Sequence, residues 1–157
     1  ITNGIFNGWQ ASWPITFKIS QYRGQNYSVS FAEDYMSVIN ISYGYSGGAH
    51  DSYSKQSENF DMRTGQLLKN EDVFATGDDT DSLIFTCIKK YAELQGEGIP
   101  ENNSDVIDLE NAVFYFDTKG IVFILNPYVL GSFGDGVREI TVPYEELESV
   151  LLIDIAN

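Results

Sequence analysis

Across positions 15–45 the apolar residues recur at every second place: Ile15, Phe17 and Ile19, then Tyr27, Val29 and Phe31, then Ile39, Ile41, Tyr43 and Tyr45. A period of two sends side chains alternately to opposite faces of a sheet, so it predicts strands here and excludes a helix. Turn-forming residues interrupt the run at Arg23-Gly24-Gln25-Asn26 and at Glu33-Asp34. The stretch therefore reads as a meander of antiparallel strands with one wet face. A further, polar strand is expected over 52–62, closing at Arg63-Thr64-Gly65.

Outside that stretch the period changes. Ile5, Phe6, Trp9 and Trp13 fall on one helical face that Pro14 ends. Asn70 is placed to cap a short turn carrying Val73 and Phe74. The strongest helix pattern opens at Asp78-Asp79-Thr80-Asp81 and sets Leu83, Ile84, Cys87, Ile88, Tyr91 and Leu94 on one face, with Gly96 and Gly98 at its end. A hairpin follows, with 113–116 and 121–125 flanking Asp117-Thr118-Lys119-Gly120. A last strand over 138–142 leads to Pro143 as the first residue of a final helix, whose Leu147, Val150 and Leu151 face inward. Helices and strands mix without a βαβ rhythm. That predicts an α+β fold, antiparallel sheet packed against a few helices, in a single domain spanning 1–157.

Function classes are bounded by charge and by the scarcity of reactive side chains. Net charge is −14, from 23 acids against nine Lys and Arg. Such a field repels nucleic acid and attracts cationic partners. Ten Tyr, ten Phe and two Trp within 43% hydrophobic residues supply a core, so intrinsic disorder is not expected. The single cysteine allows no internal disulfide, and no apolar run approaches the roughly 20 residues that span a bilayer. The chain opens at Ile1 with neither Met nor a signal-like segment, as expected of a mature fragment with an anchor or export signal upstream.

His50 is the only histidine, which removes any multi-histidine zinc site, and no Gly-x-Ser-x-Gly elbow supports a triad. Cys87, on the apolar helix face, reads as a core residue. Counted from Asp79, the fifth and sixth places of a calcium loop hold Leu83 and Ile84, so an EF-hand fails; capping and the helix dipole account for the acids. Neither Gly47-Gly48-Ala49-His50 nor the Gly-rich 131–136 has phosphate-loop spacing. No catalytic residue, metal or cofactor is expected. The candidate binding residues are Tyr43, Tyr45, His50, Asp51, Tyr53, Tyr128 and Phe133, aromatic and polar groups in or beside the Gly-rich loops.

Five segments taken in order resemble a known bacterial family. They are Tyr43-Gly44-Tyr45-Ser46-Gly47-Gly48-Ala49-His50, Asn59-Phe60-Asp61-Met62-Arg63-Thr64-Gly65-Gln66, Asp72-Val73-Phe74, Asn126-Pro127-Tyr128-Val129-Leu130-Gly131-Ser132-Phe133, and Val142-Pro143-Tyr144-Glu145-Glu146-Leu147. Their sequence and spacing are similar to the extracytoplasmic domain of RsiV-type anti-sigma factors, a domain also found in lipoproteins and beside peptidoglycan deacetylase domains. The resemblance covers 43–152, and 1–42 resembles the companion region that precedes it. It implies an α+β domain outside the cytoplasm, binding lysozyme or another cell-envelope partner and contributing no catalytic residues. A glycan or peptidoglycan-binding accessory role is the alternative; a weak hydrolase built on His50 is the second.

Overall fold

Residues 16–19, 25–44, 52–99, 111–129, 134 and 136–155 are described in a computed structural model, 16–19 by backbone alone. The meander forms as its period predicts. Strands β1 (Thr16–Ile19), β2 (Gln25–Ala32), β3 (Tyr35–Gly44), β4 (Ser52–Asp61) and β5 (Gln66–Leu68) lie in chain order in one antiparallel sheet. The hairpin strands β6 (Val113–Asp117) and β7 (Gly120–Leu125) join β8 (Arg138–Val142) in a second, three-stranded sheet. With helices α1 (Asn70–Val73), α2 (Asp78–Leu94) and α3 (Tyr144–Leu147), the two sheets form one compact α+β domain. The expected helix over 5–13 lies outside the described residues.

β7 is buried along its whole length because it is the central strand of the small sheet. One of its faces presents Ile121, Phe123 and Leu125 to the main core, with Phe114, Phe116, Phe74 and the Tyr35 ring from β3. The rings meet at centroid distances of 5.0 to 6.2 Å, edge-on or tilted except for a stacked Phe74–Phe123 pair. Such pairs add about 1 kcal/mol each beyond the area they bury. Helix α2 closes this core with Ile84, Cys87, Ile88 and Ala92. The buried stripe follows the i, i+4 row Thr80, Ile84, Ile88, Ala92, rotated from the row that ends at Leu94. Leu94, expected inward, is 71% exposed for that reason.

Helix ends depart from the expected caps in three places. Lys69, not Asn70, is the N-cap of α1. Its N–H donates to the Asp72 carboxylate at 2.8 Å, and the Asn70 amide is used to hold Ala112 C=O at 2.9 Å. Gly77 begins α2, where Asp78, Asp79 and Asp81 occupy the first turn without capping it, leaving the dipole as their contribution. Pro143 sits outside α3 as its N-cap with extended ψ, and the helix is a single turn. The end of α2 is as expected: Glu97 N–H bonds Ala92 C=O and Gly96 N–H bonds Glu93 C=O, with Gly96 at φ +78°, a Schellman closure.

The expected wet face of the meander needs correcting. Register places Tyr27, Val29 and Phe31 of β2 opposite Asn40, Val38 and Met36, on the face away from Tyr35, Ser37 and Ile39. The latter face continues on β4 through Asp61, Asn59 and Ser57. It carries Ser37, Ser57 and Asn59 among its residues, yet Tyr35, Ser37, Ile39 and Asn59 on it are buried, because β6, the edge of the small sheet, docks across it; Val29 on the opposite face is buried too. An edge strand has backbone groups with no ladder partner. Here the Phe116 N–H donates to Ser37 Oγ at 2.9 Å, and Phe114 C=O accepts from Ser57 Oγ and from Asn59 Nδ2. Ser37 Oγ donates in turn to Asn59 Oδ1 at 2.6 Å. Ser37 and Asn59 are 0% and 5% exposed. The polar positions form a seam that replaces a missing strand.

Candidate functional site

The same docking face extends beyond the seam. Residues 53, 55, 57 and 59 alternate on β4, and their partners across the ladder are Tyr43, Ile41, Ile39 and Ser37. Tyr43 and Tyr53 therefore form one rung at the far end of the face, next to the Gly44–Ser52 rung that closes the strand pair. Directly opposed residues of an antiparallel pair stand about 5 Å apart at Cβ, within reach of each other's rings. Tyr43 is 48% exposed and Tyr53 is half-buried.

The turn that carries Tyr128 meets β4 from the other sheet. After β7 the backbone turns through Asn126-Pro127-Tyr128-Val129, closed by Val129 N–H on Asn126 C=O at 3.0 Å. Pro127 holds the second turn position and Tyr128 the third, at φ +70°. That is the arrangement of a type II turn, in which the third position favours Gly because a side chain there is strained. A Tyr in this conformation costs about 1–2 kcal/mol relative to an ordinary backbone. Its side chain is 65% exposed.

One side chain ties the turn to the Tyr43–Tyr53 rung. The Asn126 amide accepts from Lys55 N–H at 2.7 Å and donates to Lys55 C=O at 2.9 Å. β5 runs along β4 only from Asn59 to Asp61, so among the described residues no strand pairs that edge of β4 at Lys55. The amide supplies one rung of the absent strand. Tyr53 stands two residues before Lys55, and Tyr128 two residues after Asn126. Lys55 Nζ also pairs with Glu139 of β8 at 2.7 Å, with the Lys55 side chain mostly buried.

Of the residues selected from sequence, Tyr43 and Tyr53 share a rung, and Tyr128 lies in the turn whose Asn126 bonds Lys55, two residues along β4 from Tyr53; Tyr45, His50, Asp51 and Phe133 lie outside the described residues. Asn126, which grips the Lys55 backbone, was missed. A Pro-Tyr pair after a buried strand was the available signal for the turn, but no local signal links Asn126 to Lys55, 71 positions away. Elsewhere, Cys87 is buried, as its place on the helix face implied; burial and then the Glu146 charge push its thiol up, away from a reactive thiolate. Glu146 accepts from Lys90 Nζ at 2.8 Å and Tyr91 OH at 3.0 Å, and these bonds hold its carboxyl below the usual range. Among the described residues no group of three or more His, Cys, Asp or Glu could hold a metal ion, and no helix is long and apolar enough to cross a membrane.

Comparison with known proteins agrees with this fold. Residues 71–145 match the family described as "Protein of unknown function (DUF3298)". A DUF3298 family protein from Pseudomonas aeruginosa aligns at 15% identity and a TM-score of 0.64, over 80% of this chain and 59% of that one. A member of the same family from Bacteroides fragilis aligns at 25% identity and a TM-score of 0.65, over 90% of this chain and 56% of that one. The chain thus spans under three fifths of each of these structures. No curated protein matches it. What these comparisons support of the resemblance seen in the sequence is similarity to a DUF3298 domain, a domain of unknown function, over residues 71–145.

Proposed function

We propose that this chain is a non-catalytic binding domain acting outside the cytoplasm, and that Tyr43, Tyr53 and Tyr128 form the surface that meets its partner. The observation that carries this reading is Tyr128, an exposed aromatic held at positive φ in a turn clamped to β4 two residues along from Tyr53. Residues held in strained backbone cluster at active sites, ligand clamps and switch regions. Tyrosine suits such a surface because it offers a large, rigid contact with a polar tip. A net charge of −14 favours a basic protein partner, and the resemblance to RsiV-type receptor domains makes a basic lysozyme the specific choice.

Titration calorimetry of the domain with a basic lysozyme, at low and moderate salt, tests this. Binding is expected at both, weaker at higher salt as long-range attraction is screened. Tyr128→Ala and Tyr128→Gly are both expected to weaken it at least tenfold, about 1.4 kcal/mol. The pair separates strain from contact, because Gly relieves the positive φ and should leave the fold about 1 kcal/mol more stable than Ala. No complex at either salt removes lysozyme as the partner. Full binding by both variants removes Tyr128 from the surface.

A second reading draws on the same exposed rings, which also suit stacking on sugar. It predicts retention on insoluble peptidoglycan that salt does not abolish; complete release at modest salt counts against it.

A further inference from the structure

We infer that Asn126 is the positioning residue of this surface, acting by gripping the backbone of Lys55 so that the two sheets present their tyrosines in one fixed arrangement. The inference rests on the Tyr43–Tyr53–Tyr128 reading and adds what holds the parts together. The surface is divided between sheets: one rung belongs to β3 and β4, and the turn belongs to the end of β7. The seam joins the sheets at Ser37, Ser57 and Asn59, and the turn after β7 lies beyond it. Asn126 serves both halves. Its backbone carbonyl closes the turn at Val129, and its side-chain amide makes both hydrogen bonds to Lys55. A paired amide fixes direction as well as distance, which a single contact does not. It also satisfies the Lys55 N–H and C=O on an edge that, among the described residues, no strand covers, so the bond is kept in the folded state.

The geometry separates Asn126 from its neighbour, the Lys55 ammonium. Lys55 Nζ joins Glu139 and spans the same two sheets, but it acts through an ion pair and not through the backbone bonds that Asn126 makes. If the amide is the clamp, removing the Lys55 charge leaves the tyrosines where they are.

The test compares Asn126→Ala, Asn126→Asp and Lys55→Met, each checked for folding by circular dichroism. The first readout needs no ligand: positive φ at Tyr128 gives a strong intraresidue HN–Hα NOE. That signal is expected to fall in Asn126→Ala and to persist in Lys55→Met. Asn126→Asp keeps the acceptor for Lys55 N–H and loses the donor to its C=O, so an intermediate loss is expected and keeps the test usable if the Ala variant does not fold. The second readout is binding of basic lysozyme and of insoluble peptidoglycan. Asn126→Ala is expected to weaken whichever probe the native protein holds by about tenfold, and to add little in a Tyr128→Ala background, as for residues acting through one another. Lys55→Met is expected to bind within about twofold of the native protein.

An unchanged NOE in Asn126→Ala overturns the inference, as does a loss of binding equal in both backgrounds or equal for Lys55→Met. If neither probe binds, or Tyr128→Ala binds normally, the functional reading fails, and the NOE alone still decides whether Asn126 sets the turn.

Discussion

Replacing Ser37 by Ala tests the seam that joins the sheets. The hydroxyl is fully buried, accepts from Phe116 N–H and donates to Asn59 Oδ1. Alanine leaves an amide and a carbonyl oxygen facing each other in a space with no water access. Each buried group without a partner costs about 1–3 kcal/mol, so the pair should cost roughly 2–4 kcal/mol after some relaxation. Ser57→Ala is the internal control. It removes one of two donors to Phe114 C=O and leaves Asn59 Nδ2 at 3.0 Å, so its cost should be about 1 kcal/mol. Urea unfolding reads the difference. With m values of about 1–3 kcal/mol per molar, the Ser37→Ala midpoint should fall by roughly 1–2 M at an unchanged m, and Ser57→Ala by about half a molar. A Ser37→Ala variant within about 0.5 kcal/mol of the native protein, or no worse than Ser57→Ala, would show that the edge of β6 does not depend on these bonds.

Two further outcomes follow from the core and the helix pair. Gly120→Ala is expected to cost about 3 kcal/mol, lowering the thermal midpoint by about 6–12 °C, because a Cβ there would lie 2.1 Å from Val142 C=O. A circular-dichroism melt unchanged within about 2 °C, on the order of the shift expected from under 1 kcal/mol, refutes the close approach. The carboxyl of Glu146 sits below its usual value of 4.5 because Lys90 and then Tyr91 bond it. A group depressed in the folded state stabilises fully above its unfolded value and loses that effect as pH falls through the folded one. The stability difference between the native protein and Glu146→Gln should therefore be constant above about pH 5 and shrink below about 4.5; a difference independent of pH contradicts the assignment.

What could be read from the residues in order was whatever repeats at short range. The alternation of Ile39, Ile41 and Tyr43 belongs to β3, and the Thr118-Lys119 turn sits between β6 and β7 with Asp117 paired to Gly120. Even the need for Gly120 was visible: its φ of +157° is one that L side chains rarely adopt, and the approach of β8's end adds a steric cause. The α2 face was legible through Leu83, Ile84, Cys87, Ile88 and Tyr91, which are in the core or packed against it; it departs at Leu94, which is outside while Thr80 and Ala92 are inside, since hydrophobicity alone does not say where a neighbouring sheet will touch.

The meaning of the polar positions could not be read that way. Ser37, Ser57 and Asn59 have the composition of a solvated face, and only the docking of β6 makes them an interior. For the candidate surface the division is similar. Exposed tyrosines near turns could be picked out one at a time from the sequence, and composition alone made the domain acidic. That Tyr43 and Tyr53 share a rung, and that the Tyr128 turn meets β4 at Lys55, was decided by the antiparallel register of β3 with β4 and by the hydrogen bonds of one amide across 71 positions. Residue type and local period are properties of neighbours in sequence; which strand edge is left without a partner, and what comes to satisfy it, is settled only when distant segments meet.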